Sequence, residues 1–269
     1  MTRIAPTFAA VGRTVKVVDT AIESEGLKLW GHLSRPPGTS RGPGVARHGL
    51  VICHGFPSGP GGAATAARTY PHLADRIAAD AGWVVLTFNF RGTGESEGDF
   101  SLGGWVADSK AAVDHLLEHT DVDRVWLAGF GTGGALALCA AAEDERVGGV
   151  AAFSAPADFD TWAGDPGWLL AHARNLGVIR TPSFPADLAA WSCELHDIRP
   201  INLIGKLPPR PVLLVHGGDD DVVSPMDARA LADATEGEAE LRVLAGAGSR
   251  LRHDPRAIAV LLGWLDRQS

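Results

Sequence analysis

The sequence predicts an α/β fold, a mostly parallel sheet covered by helices on both faces. Three observations carry this. Strand-like apolar runs alternate with helix-spaced segments from about Val15 to the C-terminus, an order that calls for parallel strands joined by helical crossovers. Some of the runs, such as WVVLTFNF, are β-branched and aromatic almost throughout, as strands buried on both faces are. Hydrophobic residues make up 45% of the 269, enough for a sizeable core and against disorder.

The elements follow in order. KVVDTAIE and LKLWGHLS alternate over short stretches and predict an opening antiparallel hairpin. GVARHGLVICHG is a strand that ends in a glycine turn. Leu73, Ile77 and Ala81 share a helical face that stops at Gly82. After the WVVLTFNF strand, SLGGWVADSKAAVDHLLEH puts Val106, Ala112, Val113, Leu116 and Leu117 on an apolar helix face. RVWLAG is the next strand, TGGALALCAAAED the next helix and VGGVAAFSAP another strand. Regularity then breaks. Residues 158–207 carry Trp162, Trp168, Trp191 and several prolines, too apolar for a solvated linker, and predict a small helical insertion. RPVLLVHGG restores a strand, Ser224 is placed to cap a helix opened by Pro225, AELRVLAGAG is a last strand, and Asp254-Pro255 starts the final helix. The expected organisation is a core of residues 1–157 and 208–269 with a helical cap over 158–207.

Composition removes several function classes. The formal charge is −8 and no Lys/Arg run stands out, which argues against nucleic acid and anionic membranes as partners. Three cysteines without C-x-x-C spacing favour a reducing, cytoplasmic setting over a disulfide framework. The first residues lack a long apolar stretch, so no signal peptide is expected, and AIAVLLGWL is too short to span a membrane. No H-E-x-x-H or Cys/His cluster is present, so neither metal nor cofactor is expected. The acidic triplet Asp219-Asp220-Asp221 reads as a turn rather than a hard-cation site. A small-molecule partner is expected, and homo-oligomerisation stays open.

The chemistry concentrates at Gly129-Phe130-Gly131-Thr132-Gly133, a glycine corner between a strand and a helix. Gly129-x-Gly131-x-x-Gly134 matches a dinucleotide fingerprint, but that fingerprint opens its domain and wants an acid at the end of the next strand. Here several strands precede it, and the next strand ends Phe153-Ser154-Ala155 with no acid before Asp158. The alternative is a G-x-S-x-G nucleophile elbow with glycine at its centre.

Four motifs in chain order favour the elbow. His54-Gly55-Phe56-Pro57 follows the third strand, Asn89-Phe90-Arg91-Gly92-Thr93-Gly94-Glu95-Ser96 follows the fourth, GFGTGG forms the corner, and Leu214-Val215-His216-Gly217-Gly218-Asp219-Asp220 ends a late strand. With these the chain resembles the α/β-hydrolase superfamily, in particular its lid-bearing, peptidase-like and acyl-esterase-like serine hydrolases. The resemblance implies an α/β-hydrolase fold, an oxyanion loop at His54 to Phe56, a nucleophile at position 131 and a triad acid at Asp220. It places the triad histidine at position 249.

Two of these positions depart from the pattern: Gly131 stands for the nucleophile and Ser249 for the histidine. Glycine is comfortable in a strained turn, so the backbone can persist without the reactive atom. The backbone amides of Phe56 and Thr132 are the expected oxyanion donors. His54 is expected to shape its loop, and Arg91 with the Gly59–Gly62 loop to line the mouth. Trp162, Trp168 and Phe184 are candidate walls. Cys53 and Cys139 read as core thiols, His253 as a surface residue, and Ser249 as at most a hydrogen-bond partner for Asp220. Three functions remain: a hydrolase-like pseudoenzyme binding a small acyl or carbonyl ligand or a partner, a non-covalent lyase, isomerase or cyclase using the oxyanion hole, and an esterase or peptidase with an unrecognised nucleophile.

Overall fold

The computed structural model describes residues 15–37 and 47–268. The stretch read as lacking a signal peptide lies almost wholly outside the described residues. β1 (Lys16–Ser24) and β2 (Leu27–Arg35) form the predicted hairpin. Glu25 and Gly26, with φ of 50° and 77°, make its two-residue turn, the handedness that suits twisted strands. Then come β3 (His48–Cys53), α1 (Tyr70–Ala81), β4 (Val84–Phe88), α2 (Leu102–His119), β5 (Arg124–Phe130), α3 (Thr132–Ala142) and β6 (Val147–Phe153). Four short helices follow: α4 (Asp160–Ala163), α5 (Pro166–Leu176), α6 (Leu188–Asp197) and α7 (Pro200–Leu203). The chain closes with β7 (Val212–Gly217), α8 (Pro225–Asp233), β8 (Glu240–Leu244) and α9 (Pro255–Asp266).

Local chemistry sets these boundaries. Gly82 ends α1 in the left-handed conformation at φ 72°. The hydroxyl of Ser101 accepts from the Gly104 amide at the start of α2. Ser224 accepts from Met226 N at α8, and Asp254 from Arg256 N at α9, each relieving an amide the helix cannot satisfy.

The eight strands form one sheet in the order β1-β2-β4-β3-β5-β6-β7-β8, antiparallel at β1, β2 and β4 and parallel from β4 onward. Alternate strand residues feed two cores. Val51 and Cys53 join α2, α3 and the 158–207 helices, while Leu50 and Ile52 join α1 and α9. The chain leaves β3 toward β4 and leaves β5 toward β6, so the crossovers diverge between β3 and β5. A crevice at the carboxyl ends of these strands is where open α/β sheets bind ligands.

Among the described residues no helix is long and apolar enough to cross a membrane.

Candidate active site

Four segments meet at the carboxyl ends of the strands: His54–Phe56 after β3, Gly131–Thr132 after β5, Ser154 after β6 and Asp220 after β7. Gly131 turns the chain from β5 into α3 with φ 54° and ψ −128°, a backbone that L-residues adopt only under strain. The turn is built from close backbone approaches. A Cβ on Gly133 would overlap the carbonyl oxygens of His54 and Cys53, and one on Gly129 would lie 2.5 Å from the Gly133 carbonyl carbon. Gly131 differs: its nearest neighbour would be the Gly55 Cα at 4.0 Å. The central position therefore has room for a side chain, and the flanking positions have none.

Thr132 opens α3 and is 7% exposed. As the first helical residue, its N–H has no intrahelical acceptor. Phe56 lies next to the turn through Gly55. Its ring packs against Phe100 (4.9 Å between centroids), Trp162 (5.1 Å), Trp105 (6.1 Å) and His172 (6.1 Å). The free amide of Thr132, at a helix N-terminus, suits an anion or a polarised carbonyl.

His54 is fully buried and committed to its loop. Its Nδ1 pairs with the Gly55 carbonyl at 2.8 Å, its Nε2 accepts from Phe90 N at 3.2 Å, and Thr93 Oγ1 lies 3.2 Å from the same nitrogen. Burial pushes its pKa down to about 4, so it stays neutral.

Asp220 is buried after β7. Its Oδ1 accepts from the amides of Val222 and Val223, each at 3.0 Å. Its Oδ2 is buried without a hydrogen-bond partner among the described residues, 3.5 Å from His216 Nε2. That nitrogen pairs instead with the Val223 carbonyl at 3.0 Å. The hydrogen bond from Ser249 that the sequence allows does not form. The Ser249 loop meets the acid turn through backbone, with Asp219 N donating to Ala247 O at 2.9 Å, and this pairing leaves the carboxylate to its own turn. His253 is exposed.

Arg91 corrects the sequence reading: it does not line the mouth. It is 8% exposed and binds Asp108 through Nε at 3.0 Å, Nη2 at 2.7 Å and its own amide at 2.8 Å. Ser24 and Glu25 also accept from its Nη2, at 3.2 and 2.9 Å. The carboxylate of Asp108 is fully buried on α2, and a buried charge demands a counter-charge. That demand takes Arg91 under the hairpin. Trp162 does face Phe56, whereas Trp168 is 53% exposed and stacks on His172 at 4.8 Å. Phe184 is packed against the main core, and its carbonyl accepts from Arg174.

Burial pushes the thiols of Cys53 and Cys139 up to about 12, so neither forms a thiolate near neutral pH. Ser154, which sequence reasoning passed over, is 3% exposed with φ 47°, and its Oγ has no hydrogen-bond partner among the described residues. Its amide donates to Val215 O beside the point where Gly131 N donates to Phe153 O. It lacks a base within hydrogen-bond reach among the described residues, and a hydroxyl needs one. His172 was also missed. Its sequence signal is the four-residue spacing from Trp168, which puts both rings on one helix face. A hollow of about 400 Å³, lined by Trp30, His32, Arg68, Asn89 and Glu95, opens apart from Gly131 at the β2–β4 side.

Among the described residues no group of three or more His, Cys, Asp or Glu is arranged to hold a metal.

Comparison with known proteins agrees with the fold. A sequence model described as alpha/beta hydrolase fold matches residues 50–199. The chain is 28% identical to the polyketide transferase ATR5 of Stachybotrys chlorohalonatus, over 78% of this chain and 81% of that protein. Among solved structures, the alpha/beta hydrolase GrgF from Penicillium sp. sh18 superposes with a TM-score of 0.68 at 21% identity, covering 94% of this chain and 98% of that one. The esterase Pf2001 of Pyrococcus furiosus gives 0.67 at 20% identity, covering 94% and 91%.

Proposed function

The chain belongs to the alpha/beta hydrolase-fold family, and from that premise we propose that it works without a Ser-His-Asp triad, binding a small acyl or carbonyl ligand at the strand ends. Gly131 stands where the family carries its nucleophile and Ser249 where it carries its histidine. The observation that carries the reading is the Gly131 turn, strained at φ 54° and open to a side chain yet holding none. The unpartnered Oδ2 of Asp220 supports it, since that is the oxygen a triad histidine would engage. The amides of Phe56 and Thr132 then serve as oxyanion donors for the ligand carbonyl, and helices α4 to α7 serve as a cap. Relatives named esterase and polyketide transferase favour an acyl or carbonyl ligand here.

A second reading, non-covalent catalysis on the bound carbonyl, is favoured by the half-buried His172 against Phe56. Preorganised donors accelerate reactions without a covalent step.

The test is hydrolysis of nitrophenyl esters of short and medium acyl chains, with wild type beside Gly131→Ser/Ser249→His, together with fluorophosphonate labelling. The expected outcome is turnover and labelling in the double variant alone. Labelling of wild type at the turn, or ester turnover by wild type at a comparable rate, would refute the proposal.

A further inference from the structure

Most imidazoles around the strand ends are already committed. Both nitrogens of His54 are engaged within its loop. His216 is buried and its Nε2 is spent on Val223 O. His253 is exposed in the turn before α9, directly after Arg252. His172 is different. It is half-buried on α5, with one face stacked on Phe56 at 6.1 Å and 27°, and it stacks on Trp168 at 4.8 Å and 11°. Neither ring nitrogen has a hydrogen-bond partner among the described residues. Phe56 in turn is the residue whose amide adjoins the Gly131 turn. An imidazole free of hydrogen bonds thus stacks on the ring of the residue whose amide the carbonyl-binding reading uses as a donor.

We infer that His172 is the proton-transfer group of this site and that its ligands are β-dicarbonyl compounds. The inference rests on the carbonyl-binding reading above. An oxyanion hole and a base without a nucleophile suit abstraction of a proton α to a carbonyl. Imidazole is a weak base, so the hydrogen it removes must be acidified by two carbonyls rather than one. The step balances within the site. A neutral His172 nitrogen takes the proton from the carbon between the carbonyls. The C–H pair becomes the enolate π bond, and the charge settles on the oxygen that accepts from the Phe56 and Thr132 amides. The imidazolium then returns a proton to carbon. The partly exposed rings of Phe56 and Trp162, 5.1 Å apart, suit a planar enolate.

The experiment uses full-length protein and ethyl 2-methylacetoacetate in deuterated water. Proton NMR follows exchange of the C2 hydrogen, and quenching of tryptophan fluorescence follows binding, since Trp162 and Trp168 flank the stack. His172→Phe keeps a ring in the stack and removes both nitrogens; His172→Gln keeps a polar group without the base. Wild type is expected to accelerate exchange, and both variants, folded by circular dichroism, to lose about a hundredfold of that acceleration while still binding. Equal acceleration in the variants would overturn the assignment of His172, as would loss of binding and exchange together in both. Binding by wild type without acceleration would overturn the inference and leave the carbonyl-binding reading standing. Absence of both binding and exchange in wild type would overturn the two together.

Discussion

His54 shows how one residue type serves opposite ends within this molecule. Its ring sits among Phe90, Trp105 and Tyr70, at 5.0, 5.5 and 6.1 Å, and burial holds its pKa near 4 against an ordinary 6.5. An unfolded chain protonates this histidine below 6.5, whereas the folded chain resists until about 4. The unfolded state therefore binds more protons in that window, and stability falls as pH drops through it. The full effect is about 3 kcal/mol, present above pH 6.5 and exhausted below about 4. The expected NMR result is a His54 ring resonance that stays fixed from pH 7 to 5, with urea midpoints declining over the same interval. A His54 resonance that titrates near 6.5 would contradict the burial argument. That His54 shapes a loop was readable from its place in the H-G-F-P motif. The capture of Arg91 by Asp108 was not, because Asp108 is 17 residues away in sequence and only the packing of α2 under the hairpin brings them together.

Among the elements, the β5–α3 turn carries the sharpest contrast. Gly131 and Gly133 are two residues apart and are held as glycine for different reasons. Gly131→Ala meets open space, so its cost is the strained backbone alone, about 1–3 kcal/mol. Gly133→Ala must move the backbone of His54 and Cys53, and is expected to cost clearly more and to distort the oxyanion loop. Urea denaturation of the two variants checks the order; equal losses would mean that the crowding at Gly133 relaxes freely. The corner itself was visible in the sequence as a strand, a glycine cluster and a small-residue helix. Which glycine has space above it was not, since that depends on how closely β3 approaches β5.

The whole molecule is expected to unfold as one unit. Leu169, Ala173, Trp191 and Leu195 of the 158–207 helices belong to the same buried cluster as Val51, Trp105 and Leu136, and Trp191 Nε1 donates to the Phe100 carbonyl at 3.2 Å. A segment that shares its core with the sheet has little stability of its own. Far-UV circular dichroism and tryptophan fluorescence should give coincident urea transitions. An earlier fluorescence transition would mean that these helices melt separately.

The order of strands and helices, the caps at Ser224 and Asp254, and the four motifs in series followed from the sequence alone. Each rests on residues close together in the chain, where periodicity and turn chemistry act. So did the absence of a nucleophile at position 131, because no fold supplies an atom that glycine lacks. The tertiary structure decided what distant side chains do to one another. It paired Arg91 with Asp108, left Asp220 Oδ2 without a hydrogen-bond partner among the described residues, and laid His172 over Phe56. Burial and close packing set those relations, and they depend on the three-dimensional neighbours of each group rather than on its position along the chain.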